Sequence, residues 1–234
     1  MEEKAIKVLL IEDNPGDALL VQELLADVRG THFLIEHTDR LEKGLSRLSE
    51  SLASGGADGH HPIDVVLLDL SLPDSFGLDT FLRVRGASPQ MPVVLLTELD
   101  DESLALRAVR EGAQDYLVKS QVDSMLLGRT LNYAIERKTV TEQLRLQNKA
   151  LEAAANAILI TDREGAILWA NPAFTKLTGY TFEETIGQNP RILQSGQQAT
   201  AFYQNLWGTI LSGRVWQGTL INKRKDDTLY TEEM

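Results

Sequence analysis

One unbroken aliphatic run that ends in a carboxylate constrains the fold of this chain most. Residues 65–74 read VVLLDLSLPD, with Asp69 directly after the run and Pro73 shortly beyond it. Valine and leucine do not alternate with polar residues here, which is typical of a strand buried on both faces of a parallel sheet. The pattern therefore predicts that Asp69 lies at the carboxyl end of a strand, where open α/β sheets bind their ligands.

Similar apolar runs recur between Ala5 and Glu136, and segments with helical spacing separate them. The runs are AIKVLLIE, FLIEHT, IDVVLLDL, PVVLLTE and DYLVK. Their alternation with helices predicts an α/β domain in which five parallel strands and five helices form a doubly wound sheet. The glycine-rich segment 51–62 contains His60 and His61. With no further ligand nearby, these two histidines favour a solvated surface loop over a metal site.

Length, charge and the absence of cysteine exclude several classes of protein. The 234 residues are enough for two domains, and a net charge of −11 argues against a nucleic-acid-binding face. Without cysteine, the chain has neither disulfides nor thiolate nucleophiles. The first residues are too charged for a signal peptide, and no apolar run approaches the roughly 20 residues of a membrane span. We expect a cytoplasmic protein with no nucleic-acid or membrane partner.

The residues at the predicted strand ends suggest a shared site. Glu12 and Asp13 follow the first strand, Asp69 the third, Thr97 the fourth and Lys119 the fifth. In a parallel sheet all these ends lie at one edge, where neighbouring carboxylates repel by about 4 kcal/mol per pair at an effective dielectric constant near 20. Lys119 offsets part of this repulsion, and a divalent cation bound by oxygen atoms offsets the rest. Mg²⁺ suits a site with few carboxylates and several waters.

This set of residues resembles the receiver domain of two-component response regulators, which has a flavodoxin-like (βα)5 fold, over residues 4–122. The resemblance implies that Asp69 accepts a phosphoryl group from a cognate histidine kinase or phosphotransfer protein. It implies that Glu12, Asp13 and Asp69 bind Mg²⁺, and that Ser71 adds its backbone carbonyl.

The same resemblance assigns the phosphoryl-binding and switch residues. Thr97 and Lys119 are implied to bind the phosphoryl oxygens, and Tyr116 to be the switch aromatic that moves inward when Thr97 is recruited. A half-buried packing aromatic is the alternative for Tyr116. Ser120 replaces the proline that usually follows the lysine, so we expect a trans peptide bond and a slightly different loop.

The sequence lacks the motifs of the competing enzyme classes. A dehalogenase-type phosphatase needs a second aspartate where Ser71 stands, and no G-x-x-x-x-G-K-[ST] loop is present. All four histidines, at positions 32, 37, 60 and 61, lie within the receiver region rather than in a kinase phosphoacceptor motif. The sequence has no effector motif, so we expect that this chain is not itself an enzyme. A longer parent protein of this type is expected to be a diguanylate cyclase or a histidine kinase.

Residues 123–156 lack proline and predict one helical linker between two domains. A heptad register places Leu127, Ala134, Thr141 and Asn148 at one seam position and Thr130, Arg137, Leu144 and Leu151 at the other. Because exposed leucines need a partner, the pattern predicts a parallel homodimeric coiled coil. Asn148 either fixes the register of this seam or faces solvent.

Residues 151–234 resemble a PAS sensory domain, an α+β fold, and we place the domain itself at 157–234. The matches are the strand ILITD, a turn at Gly165, the strand AILWAN, a helix that begins at NPAF and its end at LTGY. A helix at 202–210 and two further strands, in VWQGTLINKRKD and TLYTEEM, complete the similarity. The family's last strand is not within these residues, so we expect an incomplete and marginally folded PAS domain.

The segment GQNPRILQSG is similar to the flavin-binding signature of light-sensing LOV domains. Pro190 stands where those domains carry the adduct-forming cysteine, which excludes adduct photochemistry. Four residues match flavin-contacting positions and leave a non-covalent flavin as a candidate cofactor: Asn189, Arg191, Gln194 and Asn222. The alternative is that these side chains cap helices and the pocket is filled by protein. This half contains no histidine to ligate haem.

Three functions remain open at the level of sequence. In the first, the phosphorylation state of Asp69 passes through a dimeric linker to the PAS domain and a downstream output. In the second, the PAS domain is the main redox or ligand sensor and the receiver modulates it. In the third, the chain is the front end of a diguanylate cyclase or a hybrid histidine kinase.

Overall fold

The structure is a computed structural model that describes residues 5–53, 63–98 and 102–234. Its Cα atoms form two compact units, Met1–Glu142 and Gln143–Met234, and each is described by itself. The predicted histidine pair, His60 and His61, lies outside the described residues. In the part of the chain that the structure describes, no helix is long and apolar enough to cross a membrane.

The first unit is built on a parallel sheet of five strands. Its elements in chain order are β1 (Ile6–Ile11), α1 (Pro15–Ala26), β2 (Phe33–Thr38), α2 (Leu41–Ala53), β3 (Val65–Asp69), β4 (Ser71–Leu72), β5 (Ser75–Phe76), α3 (Leu78–Ala87), β6 (Val93–Thr97), α4 (Glu102–Arg110), β7 (Asp115–Val118) and α5 (Ser124–Ala153), which continues past the unit. The strand order is β2-β1-β3-β6-β7, and every pairing in this sheet is parallel. The predicted doubly wound sheet is therefore confirmed, and β4 and β5 add a small antiparallel hairpin.

Helices cover both faces of this sheet, which explains why its central strands are continuously apolar. On one face, Leu9, Leu68 and Leu95 pack with Phe81 of α3. On the other face, the side chains of β1, β3, β6 and β7 pack with those of α1 and α5. Because every residue of β3 and β6 is buried, each of their leucines contributes about 1.5–3 kcal/mol to folding.

Helix α5 is continuous, as predicted, but its first turns belong to the core of the first unit. Leu127, Thr130 and Ala134 are buried, and Leu127 and Ala134 pack with the apolar residues of the sheet. These three positions therefore cannot contact a partner helix, and the predicted seam is wrong at them. Further along α5 the side chain of the predicted seam residue Leu144 is 56% exposed. Val140, one helical turn before it, is 52% exposed.

Besides the end of α5 and a short 3-10 helix, the second unit contains two antiparallel hairpins and three α-helices among its described residues. In chain order they are β8 (Leu159–Thr161), β9 (Ile167–Ala170), α6 (Pro172–Thr178), α7 (Phe182–Thr185), α8 (Thr200–Leu211), β10 (Thr219–Lys223) and β11 (Leu229–Glu233). Strand β8 pairs with β9, and β10 pairs with β11. Gly179 caps the end of α6 in the left-handed conformation at φ 79°, within the segment LTGY where the sequence predicts the helix to end.

Asn171 connects the end of α5 with the start of α6. Its side chain is fully buried and caps α6 by accepting from Phe174 N at 3.0 Å, while the same Oδ1 accepts from Ile158 N at 2.9 Å. Its Nδ2 is directed at three backbone carbonyls at and beyond the end of α5: Leu151 (3.2 Å), Ala154 (3.3 Å) and Asn156 (2.9 Å). The amide therefore satisfies polar groups that the helix end leaves open.

Candidate functional site

Three carboxylates meet at the carboxyl edge of the parallel sheet. Glu12 and Asp13 directly follow β1, and Asp69 is the last residue of β3. Carboxylate oxygens of the three residues lie within 4.8 Å of one another. Glu12 and Asp69 are buried, whereas Asp13 is exposed, so the cluster opens to solvent on one side. The parallel register brings together these three residues as expected from their positions at the strand ends.

The ammonium group of Lys119 lies among these acids. Its Nζ is 2.8 Å from Asp69 Oδ2, 2.8 Å from Glu12 Oε2 and 2.9 Å from Asp17 Oδ2, and Glu98 Oε1 is more distant at 3.9 Å. Sequence reasoning missed Asp17 and Glu98. The available signal for Asp17 was its place in the first turn of α1, four residues after Asp13.

The electrostatics of the cluster follow from burial and from this lysine. Burial raises the pKa of Glu12 to about 7, although the close contact with Lys119 opposes that rise. Burial alone lowers the pKa of Lys119, but its close contacts with Asp69, Glu12 and Asp17 raise the pKa more. Lys119 is therefore a permanent cation at this edge.

The donor set fits Mg²⁺. Glu12 Oε2 is buried and has the close ion pair with Lys119 but no well-formed hydrogen bond, so it retains lone-pair capacity for a metal ion. All candidate ligands are oxygen atoms, and the exposed Asp13 leaves room for waters, which Mg²⁺ usually keeps. Ser71 donates its backbone N–H to Asp69 Oδ1 at 2.9 Å and thereby orients the carboxylate. Ligation by the Ser71 carbonyl stays a prediction.

The predicted switch residues lie on the two strands that follow β3 in the sheet order, Thr97 on β6 and Tyr116 on β7. Thr97 ends β6, is buried, and donates from Oγ1 to the backbone carbonyl of Glu98 at 2.9 Å. Tyr116 is half-buried on β7 and packs against the core of the first unit. Among the described residues no peptide bond is cis, as expected for Ser120, and Lys119–Gln121 forms one 3-10 turn. The phosphoryl-binding and switch roles stay predictions.

The second unit contains a cavity of about 400 Å³. Phe174, Leu206 and Trp207 line its apolar side. Three of the four residues predicted to contact flavin also line it: Arg191, Gln194 and Asn222. Asn189 does not line this cavity; its Oδ1 instead accepts from Arg191 N at 3.1 Å and caps the 3-10 helix Pro190–Leu193.

Two polar side chains stand out in the wall of this cavity. Tyr230 is 7% exposed, and its buried hydroxyl has no well-formed hydrogen bond. Burial raises the pKa of Tyr230 to about 12. Asn222, which pairs with Tyr230 across β10 and β11, donates from Nδ2 to Glu232 Oε2 at 3.1 Å. The cavity therefore combines an apolar side with a polar end that retains hydrogen-bonding capacity.

The family of the chain follows from comparison with known proteins. The response regulator receiver domain model matches residues 8–130, which is more than half of the chain, and the chain belongs to this family. A second model, the PAS fold, matches residues 146–234. The chain is thus a receiver domain followed by a PAS fold, which confirms both resemblances.

Individual relatives cover the chain to different extents. A nitrogen fixation regulatory protein of Klebsiella oxytoca is 38% identical over 107 residues, which are 46% of this chain and 22% of that protein. The sensor histidine kinase TmoS of Ectopseudomonas mendocina is 25% identical over 246 aligned positions, covering 88% of this chain and 24% of TmoS. The chain spans less than a quarter of the length of these two relatives.

A solved structure agrees with the fold. The crystal structure of NtrX from Brucella abortus matches with a TM-score of 0.52 at 20% identity, over 67% of this chain and 32% of NtrX. At this level of identity the similarity concerns the fold alone.

Proposed function

We propose that the first unit is the phosphoacceptor of a two-component signalling protein. In this proposal Asp69 accepts a phosphoryl group from a cognate histidine kinase or phosphotransfer protein, and Mg²⁺ is held by Glu12, Asp13, Asp69 and the Ser71 carbonyl. The observation that carries the proposal is the position of Asp69: its carboxylate is 2.8 Å from Lys119 Nζ and lies within the three-carboxylate cluster.

The geometry supports an in-line displacement. A carboxylate oxygen of Asp69 forms a bond to phosphorus while the bond from phosphorus to the donor's leaving group breaks, and the leaving group departs with the electron pair. Lys119 donates to a phosphoryl oxygen and offsets its charge, and Thr97 adds a hydroxyl donor after it turns from the Glu98 carbonyl. Bound Mg²⁺ would supply further neutralisation of the phosphoryl oxygens.

Intact mass spectrometry tests this assignment. The protein is incubated with acetyl phosphate and Mg²⁺, and we expect the mass of one added phosphoryl group. Asp69→Asn should abolish the addition, whereas Asp79→Asn, which removes an exposed carboxylate from the first turn of α3, should retain it. Uptake by the Asp69→Asn variant at the wild-type level would refute the proposed site.

We infer further that the signal leaves the receiver through α5 in a homodimer. The proposed division is a receiver at 1–122, a linker at 123–156 and a PAS domain at 157–234. Val140, Leu144 and Leu151 recur at spacings of four and seven residues, which places them on one helix face, and Val140 and Leu144 are more than half exposed. A parallel pair of linkers would bury this face and pass the phosphorylation state to the PAS domain and a downstream output.

A PAS-centred sensor is the second candidate function, and the cavity of the second unit favours it. A volume of about 400 Å³ is within the usual range of small-molecule sites, roughly 300–1,000 Å³, and the buried hydroxyl of Tyr230 has no well-formed hydrogen bond. A non-covalent flavin would make this a redox sensor that the receiver modulates. Titration with oxidised flavin, followed by visible absorbance, tests it. Asn222→Leu should abolish binding, whereas Asn189→Ala, outside the cavity, should not.

A further inference from the structure

We propose that Asp17 competes with the phosphoryl group for Lys119 and thereby weakens the phosphorylated state of the receiver. The inference rests on the proposed acceptor function of Asp69 and assigns to Asp17 a regulatory role at the same site. Asp17 acts through Lys119, so it is a positioning residue rather than a catalytic one.

Lys119 is surrounded by carboxylates: it donates hydrogen bonds to Asp17 and Asp69 and has a close ion pair with Glu12. An ammonium group has three N–H donors. Three carboxylate oxygens, one each from Asp69, Glu12 and Asp17, lie 2.8–2.9 Å from Nζ. The lysine is 11% exposed, so water has little access to it as an alternative partner. A phosphoryl oxygen that approaches Lys119 therefore has to take the place of one of these three carboxylates.

Of the three carboxylates around Lys119, Asp17 is the one that can most readily release the lysine. Glu12 and Asp69 are buried and belong to the three-carboxylate cluster that fits Mg²⁺, whereas Asp17 is not part of that cluster and is 28% exposed. Asp17 is also in the first turn of α1, whose N-terminus stabilises a negative charge. After release, its carboxylate keeps this favourable environment and gains contact with water.

The exchange has a defined consequence for the phosphorylated state. When water attacks phosphorus, the bond from phosphorus to Asp69 breaks, inorganic phosphate leaves and the carboxylate is restored. The restored carboxylate and Asp17 then hold Lys119 again. Asp17 thus favours the unphosphorylated side of this cycle. Its removal should make a phosphoryl-like group bind more tightly at Asp69.

Equilibrium binding of beryllium trifluoride, which mimics a phosphoryl group on a carboxylate, tests the competition. Titration calorimetry of the full chain with Mg²⁺ should give about twofold to fivefold tighter binding for Asp17→Asn, the range for one partly exposed charged contact. Asp17→Ser should shift in the same direction, and circular dichroism checks that both variants fold.

The matched control is Glu98→Gln. Glu98 Oε1 is 3.9 Å from Lys119 Nζ, so this variant removes the same charge near the same ammonium without removing a hydrogen bond. Equal tightening in Glu98→Gln and Asp17→Asn would overturn the proposal, because a general loss of negative charge would then explain both. A tenfold or greater loss of Mg²⁺ affinity in Asp17→Asn would also overturn it, by making Asp17 a metal ligand.

The design separates this proposal from the proposed function. If the wild type does not bind beryllium trifluoride, or if Asp69→Asn binds it equally well, the acceptor function itself fails. If the wild type binds it at Asp69 but Asp17→Asn and Asp17→Ser do not bind more tightly, only the competition by Asp17 fails.

Discussion

The side-chain amide of Asn171 donates to the backbone carbonyl of Asn156 at 2.9 Å and so ties the segment after α5 to the start of α6. The contact is buried, and the same side chain caps α6. Any displacement of the end of α5 must therefore stretch or break hydrogen bonds of Asn171.

Asn171→Ala should lower the unfolding free energy of the second unit by about 2–4 kcal/mol, because buried backbone groups on both sides lose their partner. The three tryptophans, Trp169, Trp207 and Trp216, all lie in this unit, so urea unfolding followed by tryptophan fluorescence reports on it alone. Asn148→Ala, at an exposed position of α5, is the control. Equal stability of the two variants would contradict the role of Asn171.

Glu36 should make the first unit sensitive to acid. Its hydrogen bond with Arg47 lowers the pKa of Glu36 from 4.5 to about 2, and the ion pair with Lys7 at 3.0 Å acts in the same direction. Because the pKa is lower in the folded state, the stabilisation is fully present above about pH 4.5 and is lost as the pH falls toward 2.

Calorimetric melting of Glu36→Gln and wild type checks this dependence. At pH 7 the variant should be less stable by about 1–3 kcal/mol, after discounting for the partial exposure of Glu36, and near pH 3 the difference should shrink. Asp39→Asn removes an acid from an ion pair in which both side chains are more than half exposed, so it should change little at either pH. A Glu36→Gln deficit that is independent of pH would argue against the titration.

The exposed face of α5 predicts the oligomeric state. Combining Leu144→Asp with Leu151→Asp should convert the proposed dimer to a monomer in sedimentation, because each leucine loses about 1.5–3 kcal/mol of burial. Leu146→Asp changes a residue that is 69% exposed and lies off the face defined by Val140, Leu144 and Leu151, so its dimer should persist. A dimer that survives the double change would place the interface elsewhere.

Two helical glycines should respond in opposite ways to alanine. A Cβ atom at Gly44 of α2 would collide with the side chain of Ile11, whereas one at Gly86 of α3 would meet nothing within 4 Å. Gly44→Ala should therefore destabilise the first unit by about 1–3 kcal/mol, and Gly86→Ala should stabilise it by about 0.5–1 kcal/mol. Calorimetric melting distinguishes the two, and stabilisation by both would show that α2 can move away from β1.

Sequence patterns predicted the sheet because strand burial and strand ends are local properties of the chain. The run that ends at Asp69 and the acids after β1 were sufficient to bring three carboxylates and Lys119 to one edge. The contact between Asp17 and Lys119 spans 102 residues and depends on how the first turn of α1 sits over β7, which no local pattern encodes. The direction of the Thr97 hydroxyl likewise depends on its side-chain rotamer, which the sequence pattern does not predict.

The linker illustrates a different limit. Heptad spacing identifies apolar positions but does not say which surface covers them. Leu127 and Ala134 satisfy the heptad pattern and also the helical period of a helix packed on a sheet, so the sequence alone could not separate an intermolecular seam from the receiver core. In the structure, the heptad positions up to Ala134 are buried in the receiver core, whereas Leu144 further along α5 is exposed.

The burial of the first turns of α5 also determines how its exposed part can form. Forming the first turn is the step of helix formation with the largest free-energy cost. An exposed helix of about 12–15 residues is therefore only marginally stable in water. Here Leu127, Leu131 and Ala134 hold the first turns against the sheet, so the remaining turns only have to extend a helix that already exists. The helical order that exposes Leu144 thus depends on the receiver, and loss of receiver folding would remove the exposed leucine face together with the three-carboxylate cluster.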